Sequence, residues 1–152
     1  MTQKIAPDAD SLMDRVARLV VKNGVTLGNL SEAERSLALA WVWAGLPAGT
    51  VMNEAGVNVE IKLALQGAAR CMDTDHVELR RWLVDGGWLS RDGFGREYRR
   101  VPAAQLPAHQ TALGQALDGT DTAGLVEQLR LQSDAARQAR HQAWQASRQA
   151  GA

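Results

Sequence analysis

The stretch from Asp75 to Val101, DHVELRRWLVDGGWLSRDGFGREYRRV, decides how the chain is read. Asp75 and Glu78 are placed to cap a helix holding Leu79, Arg80, Arg81, Trp82, Leu83, Val84 and Asp85. Leu79, Trp82, Leu83 and Gly86 share one side of that helix, Arg81 points away from them and Arg80 lies on the flank. Gly86-Gly87 stops the helix, and Trp88-Leu89-Ser90-Arg91 starts a strand. Asp92-Gly93-Phe94-Gly95 turns the chain into a second strand, Arg96 to Val101, which Pro102 ends because it has no N–H for a ladder.

A helix followed by a basic hairpin is the contact end of a winged helix. The motif D-x-x-x-LRR-x-LVD-x-G-x-L-x-R-D-G-x-x-x-x-YRR, with Val57-Asn58 upstream, resembles a bacterial winged-helix family classed as a domain of unknown function and often attached to transcription regulators. About a third of the chain carries the likeness. Gly95, added after Asp92-Gly93, departs from the family's wing turn. The resemblance implies a DNA-binding winged helix-turn-helix, with the helix in a groove and the basic wing on the backbone.

Upstream elements fit that plan. Leu12, Val16, Leu19 and Val20 have helical spacing, which predicts a helix from Asp10 or Ser11 that stops before Gly24. Ser31-Glu32-Ala33-Glu34 forms a capping box for a helix through Ala44. Leu37, Leu39, Ala40, Trp41, Val42, Trp43 and Ala44 leave it no polar face, so it is expected at the centre of the core. Thr50-Val51-Met52 is expected as a short strand. A further helix begins at Asn53 or Glu54 with the stripe Val57, Ile61, Ala64, Leu65 and Ala68.

After Pro102 the large apolar residues thin out. Leu106, Leu113 and Leu117 mark a short helix, and Thr120 or Asp121 opens a last one through Leu125, Val126, Leu129 and Leu131. Beyond it a Gln/Ala/Arg-rich tail has high helix propensity and only Trp144 as a large apolar group. The expected fold is mainly α with a small β-hairpin: a polar lead over 1–9, a winged-helix domain over 10–102, and a helical extension over 103–152 that frays, projects or packs on a second subunit.

Composition restricts function. With 45% hydrophobic residues, 152 residues can bury a core. Seventeen basic residues balance seventeen acidic ones, so any attraction to nucleic acid must come from local segregation of charge. Between positions 80 and 100 that segregation exists: Arg80, Arg81, Arg91, Arg96, Arg99 and Arg100 stand against Asp85, Asp92 and Glu97. Guanidinium groups suit phosphate because their planar fork makes two parallel N–H···O bonds. The expected partner is double-stranded DNA, gripped by Arg80 and Arg81 from the helix and by the other four from the wing. A homodimer through the C-terminal helix would mirror a symmetric site.

The alternative is a winged-helix protein-interaction module without DNA contact. Arg81 can pair with Asp85 or Glu78 on its own helix, and Asp73, Asp75 and Glu78 put repelling charge at the start of the reading helix. A more remote alternative is a small-ligand pocket lined by Trp41, Trp43 and Met52. Trp41, Trp43, Trp82 and Trp88 are expected in the core and not as a base-stacking platform, with Trp88, at the corner of helix and wing, the best placed of them for partial exposure.

No nucleophile elbow, phosphate-binding loop, zinc-protease helix or C-x-x-C pair occurs, so no catalysis and no cofactor are expected. Cys71, Asp73, Asp75 and His76 supply only two soft ligands, too few for a zinc site, so no metal is expected. One cysteine, no signal-like start and no apolar run near the roughly 20 residues of a membrane span imply a cytoplasmic protein.

Overall fold

A helix with no polar face over its last two turns needs neighbours on every side, and α2 (Glu32–Ala44) is built this way: Leu37 to Ala44 are all buried. The Ser31 hydroxyl accepts the Glu34 N–H at 3.2 Å, which starts the helix where the capping box predicts. The computed structural model describes the backbone of residues 5–151 and the side chains of residues 12–151. Around α2 lie α1 (Ile5–Val20), α3 (Glu54–Gln66), α4 (His76–Asp85) and α5 (Thr111–Leu117), with one sheet. α1 starts at Ile5, earlier than the expected Asp10 or Ser11. Pro7 is tolerated there because N–H groups of the first turn have no intrahelical acceptor. The first four residues of the expected polar lead lie outside the described residues.

The sheet has three short antiparallel strands, β1 (Val51–Met52), β2 (Leu89–Arg91) and β3 (Tyr98–Arg100), in the order β1-β3-β2. Register places Met52, Tyr98 and Arg91 in one row and Val51, Arg99 and Ser90 in the next. Alternation then sends Tyr98 and Arg100 into the protein and Arg99 out. The molecule is thus mainly helical with a small hairpin-based sheet, as its sequence implies. Between α3 and α4 runs the loop 67–75, longer than the three or four residues of a simple helix-turn-helix. A parallel bridge between Val25 and Met72 fixes it: the Val25 N–H donates to Cys71 at 2.8 Å and the Asp73 N–H to Val25 at 2.7 Å.

The expected boundary at 102/103 runs through a single hydrophobic cluster. Leu106, Leu117 and Val126 are buried with the residues of α2 and the sheet. The last helix, α6 (Thr122–Ala150), starts on an Asp121 cap and packs along α1. Its Arg130 donates to the carbonyls of Val20 at 3.0 Å and Lys22 at 2.6 Å, satisfying acceptors that the end of α1 leaves open. The tail continues α6 as unbroken helix to Ala150, with every residue from Asp134 to Gly151 exposed.

Candidate functional site

Local chemistry aims α4 and the hairpin. The Asp75 carboxylate accepts the Glu78 N–H at 2.8 Å and begins α4, while Leu79 and Leu83 bury its inner face. At its other end the Gly87 N–H donates to Val84 at 3.1 Å and the Trp88 N–H to Leu83 at 2.9 Å. That is the Schellman pattern, and its left-handed residue is Gly87, at φ +82°. The turn delivers Trp88 straight into the core, where it is 1% exposed and packs against Trp43 with ring centroids 5.7 Å apart. Trp88 is thus a core residue, as expected of the tryptophans, with none of the partial exposure its corner position allowed.

The hairpin closes on itself. The Asp92 N–H donates to Glu97 at 3.0 Å, and the Asp92 carboxylate accepts the N–H groups of Arg96 at 2.7 Å and Glu97 at 3.2 Å. These bonds, Arg96 first, hold its pKa below the ordinary carboxylate value. Gly95 adopts φ +69°, which is how the added glycine is used.

The six arginines separate into three situations. Arg81, Arg91, Arg96 and Arg99 are exposed, and among the described residues none of them forms an ion pair within 4 Å. Arg81 and Arg91 line one cleft of about 270 Å³ between α4 and β2, with Val77, Val84 and Tyr98 as its apolar lining and Asp85 on its wall. Arg96 sits at the hairpin tip, its guanidinium 5.9 Å from the centre of the Phe94 ring, and Arg99 projects from the sheet row opposite the cleft.

Arg80 also reaches the cleft but is half-buried, with 17% of its side chain exposed. It donates to the Asn58 amide oxygen, pairs with Glu54 at 3.7 Å and lies 5.5 Å from the Tyr98 ring centre. Asn58 thereby ties α3 to α4.

Arg100 is a correction. It was expected to grip a nucleic-acid backbone from the wing, but inward alternation on β3 leaves it 7% exposed. Its guanidinium stacks 3.9 Å from the Trp43 ring centre, donates to the Leu46 carbonyl at 3.0 Å and pairs with Asp118 at the end of α5. Its guanidinium is thus committed to partners inside the protein and is little exposed to a phosphate.

The same reasoning removes the tryptophan pocket. Trp41 and Trp43 are buried, and their indole N–H groups donate to the carbonyls of Ala68 at 2.9 Å and Val101 at 2.8 Å. Among the described residues no three of the His, Cys, Asp and Glu side chains converge on a point that could hold a metal ion. Cys71, within the 67–75 loop, is buried, and burial pushes its thiol pKa up. No helix of the described residues is long and apolar enough to cross a membrane.

Spacing arguments missed Arg35 and Arg130, which fasten loops and helix ends through backbone carbonyls. Arg35 donates to Leu27 at 3.0 Å and Leu30 at 2.9 Å, and covers Trp82. Nothing in helix spacing signals these acceptors, which for Arg130 lie 108 and 110 residues away. The position of Arg100 did have a signal, since period-two alternation from the aromatic Tyr98 puts residue 100 on the same face.

No curated protein and no solved structure matches the chain. Residues 30–100, from the residue before the α2 cap to the end of β3, match the family described as an uncharacterized protein conserved in bacteria, DUF2087.

Proposed function

We propose that the chain binds double-stranded DNA through α4 and the β2–β3 hairpin, in the manner of a winged-helix transcription regulator. The order α2, β1, α3, α4, β2, β3, with β1 paired on β3, supports the winged-helix reading. One observation carries the functional reading: Arg81 and Arg91 line the same open cleft, both exposed and both without an ion-pair partner among the described residues. Two guanidinium groups left facing solvent in a protein that pairs Arg80 and Arg100 internally are available to phosphate or a guanine edge. Asp75 and Glu78 make the first turn of α4 repel phosphate, so contact falls to the middle of α4 and the wing.

Fluorescence anisotropy on selected and random duplexes at several salt concentrations tests this. Arg91→Ala is expected to weaken binding to all sequences alike and lower the log–log salt slope by about one unit. Arg81→Ala is expected to cost about 1–3 kcal/mol at one base pair if it reads a base edge. Wild-type binding no tighter than millimolar at low salt would remove the DNA reading. It would favour a protein-interaction module, for which Phe94, 84% exposed at the hairpin tip, and the exposed Val77 on α4 supply apolar contacts.

A further inference from the structure

The outer part of α6 sorts its side chains by type around the helix. After Asp134 it contains no acidic residue, and its charged or ionisable groups are Arg137, Arg140, His141 and Arg148. At 3.6 residues per turn these four and Trp144 fall within a sector of about 100°. Glutamines, alanines and Ser147 occupy the rest. The sector is internally organised: the His141 ring stacks on Trp144 with centroids 6.1 Å apart, and the Arg148 guanidinium lies 4.9 Å from the Trp144 ring centre. Arg137 meets Asp134 at 3.7 Å, with both side chains about two-thirds exposed, a pairing that water and salt weaken.

We propose that this face of α6 is a second nucleic-acid contact, in which Arg137, Arg140 and Arg148 neutralise phosphates of the duplex that α4 and the hairpin engage. The proposal rests on that reading of α4 and deepens it. Charge complementarity selects the occupant. Arg137 and Arg148 are about 16 Å apart along the axis at 1.5 Å per residue, a span of roughly five base pairs of duplex. A membrane surface fits less well, because an interfacial helix needs a broad apolar face and this one offers only Trp144 as a large apolar group. Pairing with a second copy through the same face would set arginine against arginine and bury no heptad of large apolar side chains.

The test compares three full-length proteins on a random-sequence duplex: wild type, the triple variant R137Q/R140Q/R148Q, and the α4–hairpin double variant R81Q/R91Q. Glutamine keeps helix propensity near that of arginine, and circular dichroism checks that α6 persists. Loss of three phosphate contacts is expected to lower the log–log salt slope by about 2.7, which weakens affinity about 500-fold at 0.1 M salt relative to an unchanged affinity at 1 M. A triple variant that matches wild type while the double variant loses affinity overturns the proposal and leaves the α4–hairpin reading standing. Loss in the triple variant alone removes the reading of the cleft and overturns the proposal of a shared duplex, leaving α6 as a contact by itself. A wild type that ignores the duplex, whether or not it sediments with phosphatidylserine vesicles, overturns both. A triple variant with unchanged duplex affinity that falls from dimer to monomer in sedimentation velocity assigns the face to a second copy and overturns the proposal.

Discussion

Arg99 and Arg100 are neighbours on one strand with opposite duties, and the alternation of β3 is the whole reason. Arg99 stands in water. Arg100 is wedged between Trp43, the end of α2 and Asp118, where its positive charge meets the carbonyl-rich ends of two helices. Its Nε–H finds no acceptor among the described residues, so the site tolerates one unmet donor in return for the rest of the fork. Arg100→Ala is expected to cost about 2–4 kcal/mol, since it removes a buried stem and leaves carbonyl oxygens without donors. Arg99→Ala should stay within about 0.5 kcal/mol, the usual surface range. Urea melts of the two variants check this, and equal losses would mean the strand's inward face is misassigned. Six arginines were legible in the sequence as a group. Their division into four open, one tethered and one buried was legible only at Arg100, through alternation from Tyr98, because Asn58, Trp43 and Asp118 become neighbours only through the fold.

At the scale of elements, what was legible followed from local rules. The capping box at Ser31, the Asp75 cap and the Gly86-Gly87 stop act within a few residues, and the structure has α2 and α4 where they predict. The start of α1 was less legible, because nothing local forbids a helix from beginning before Asp10. Gly87 shows how one position serves two levels. Its φ of +82° completes the Schellman turn, and a Cβ built on it would lie 2.9 Å from the Pro107 ring. Gly87→Ala therefore combines the cost of a left-handed alanine, about 1–2 kcal/mol, with a clash against a rigid ring. We expect a loss of at least about 1 kcal/mol. Faster amide exchange at Trp88, whose N–H closes the turn onto Leu83, should accompany it. An alanine variant as stable as wild type, with Trp88 still protected, would show that the α4–hairpin corner needs neither the glycine conformation nor the contact with Pro107.

At the scale of the whole molecule, the buried cluster continues past Pro102 into α6. Residues 103–130 contribute Leu106, Leu117 and Val126 to the buried cluster, Asp118 to Arg100, and Arg130 to the end of α1. Apolar thinning in the sequence suggested an earlier boundary because three well-placed residues look sparse in one dimension and close a core in three. Two truncations separate the views. A chain ending at Asp134 loses only exposed helix, so its thermal midpoint should stay within about 2 °C of full length, the shift that roughly 0.5 kcal/mol produces in a domain of this size. A chain ending at Pro102 loses the cover over Trp43, the partner of Arg100 and the packing along α1. Each large apolar side chain uncovered or removed costs about 1.5–3 kcal/mol, and three such losses approach the whole stability of a typical domain. That shorter chain should lack a cooperative melt. If it instead unfolds cooperatively near the full-length midpoint, residues 103–130 are an accessory layer and the segment through Pro102 stands alone.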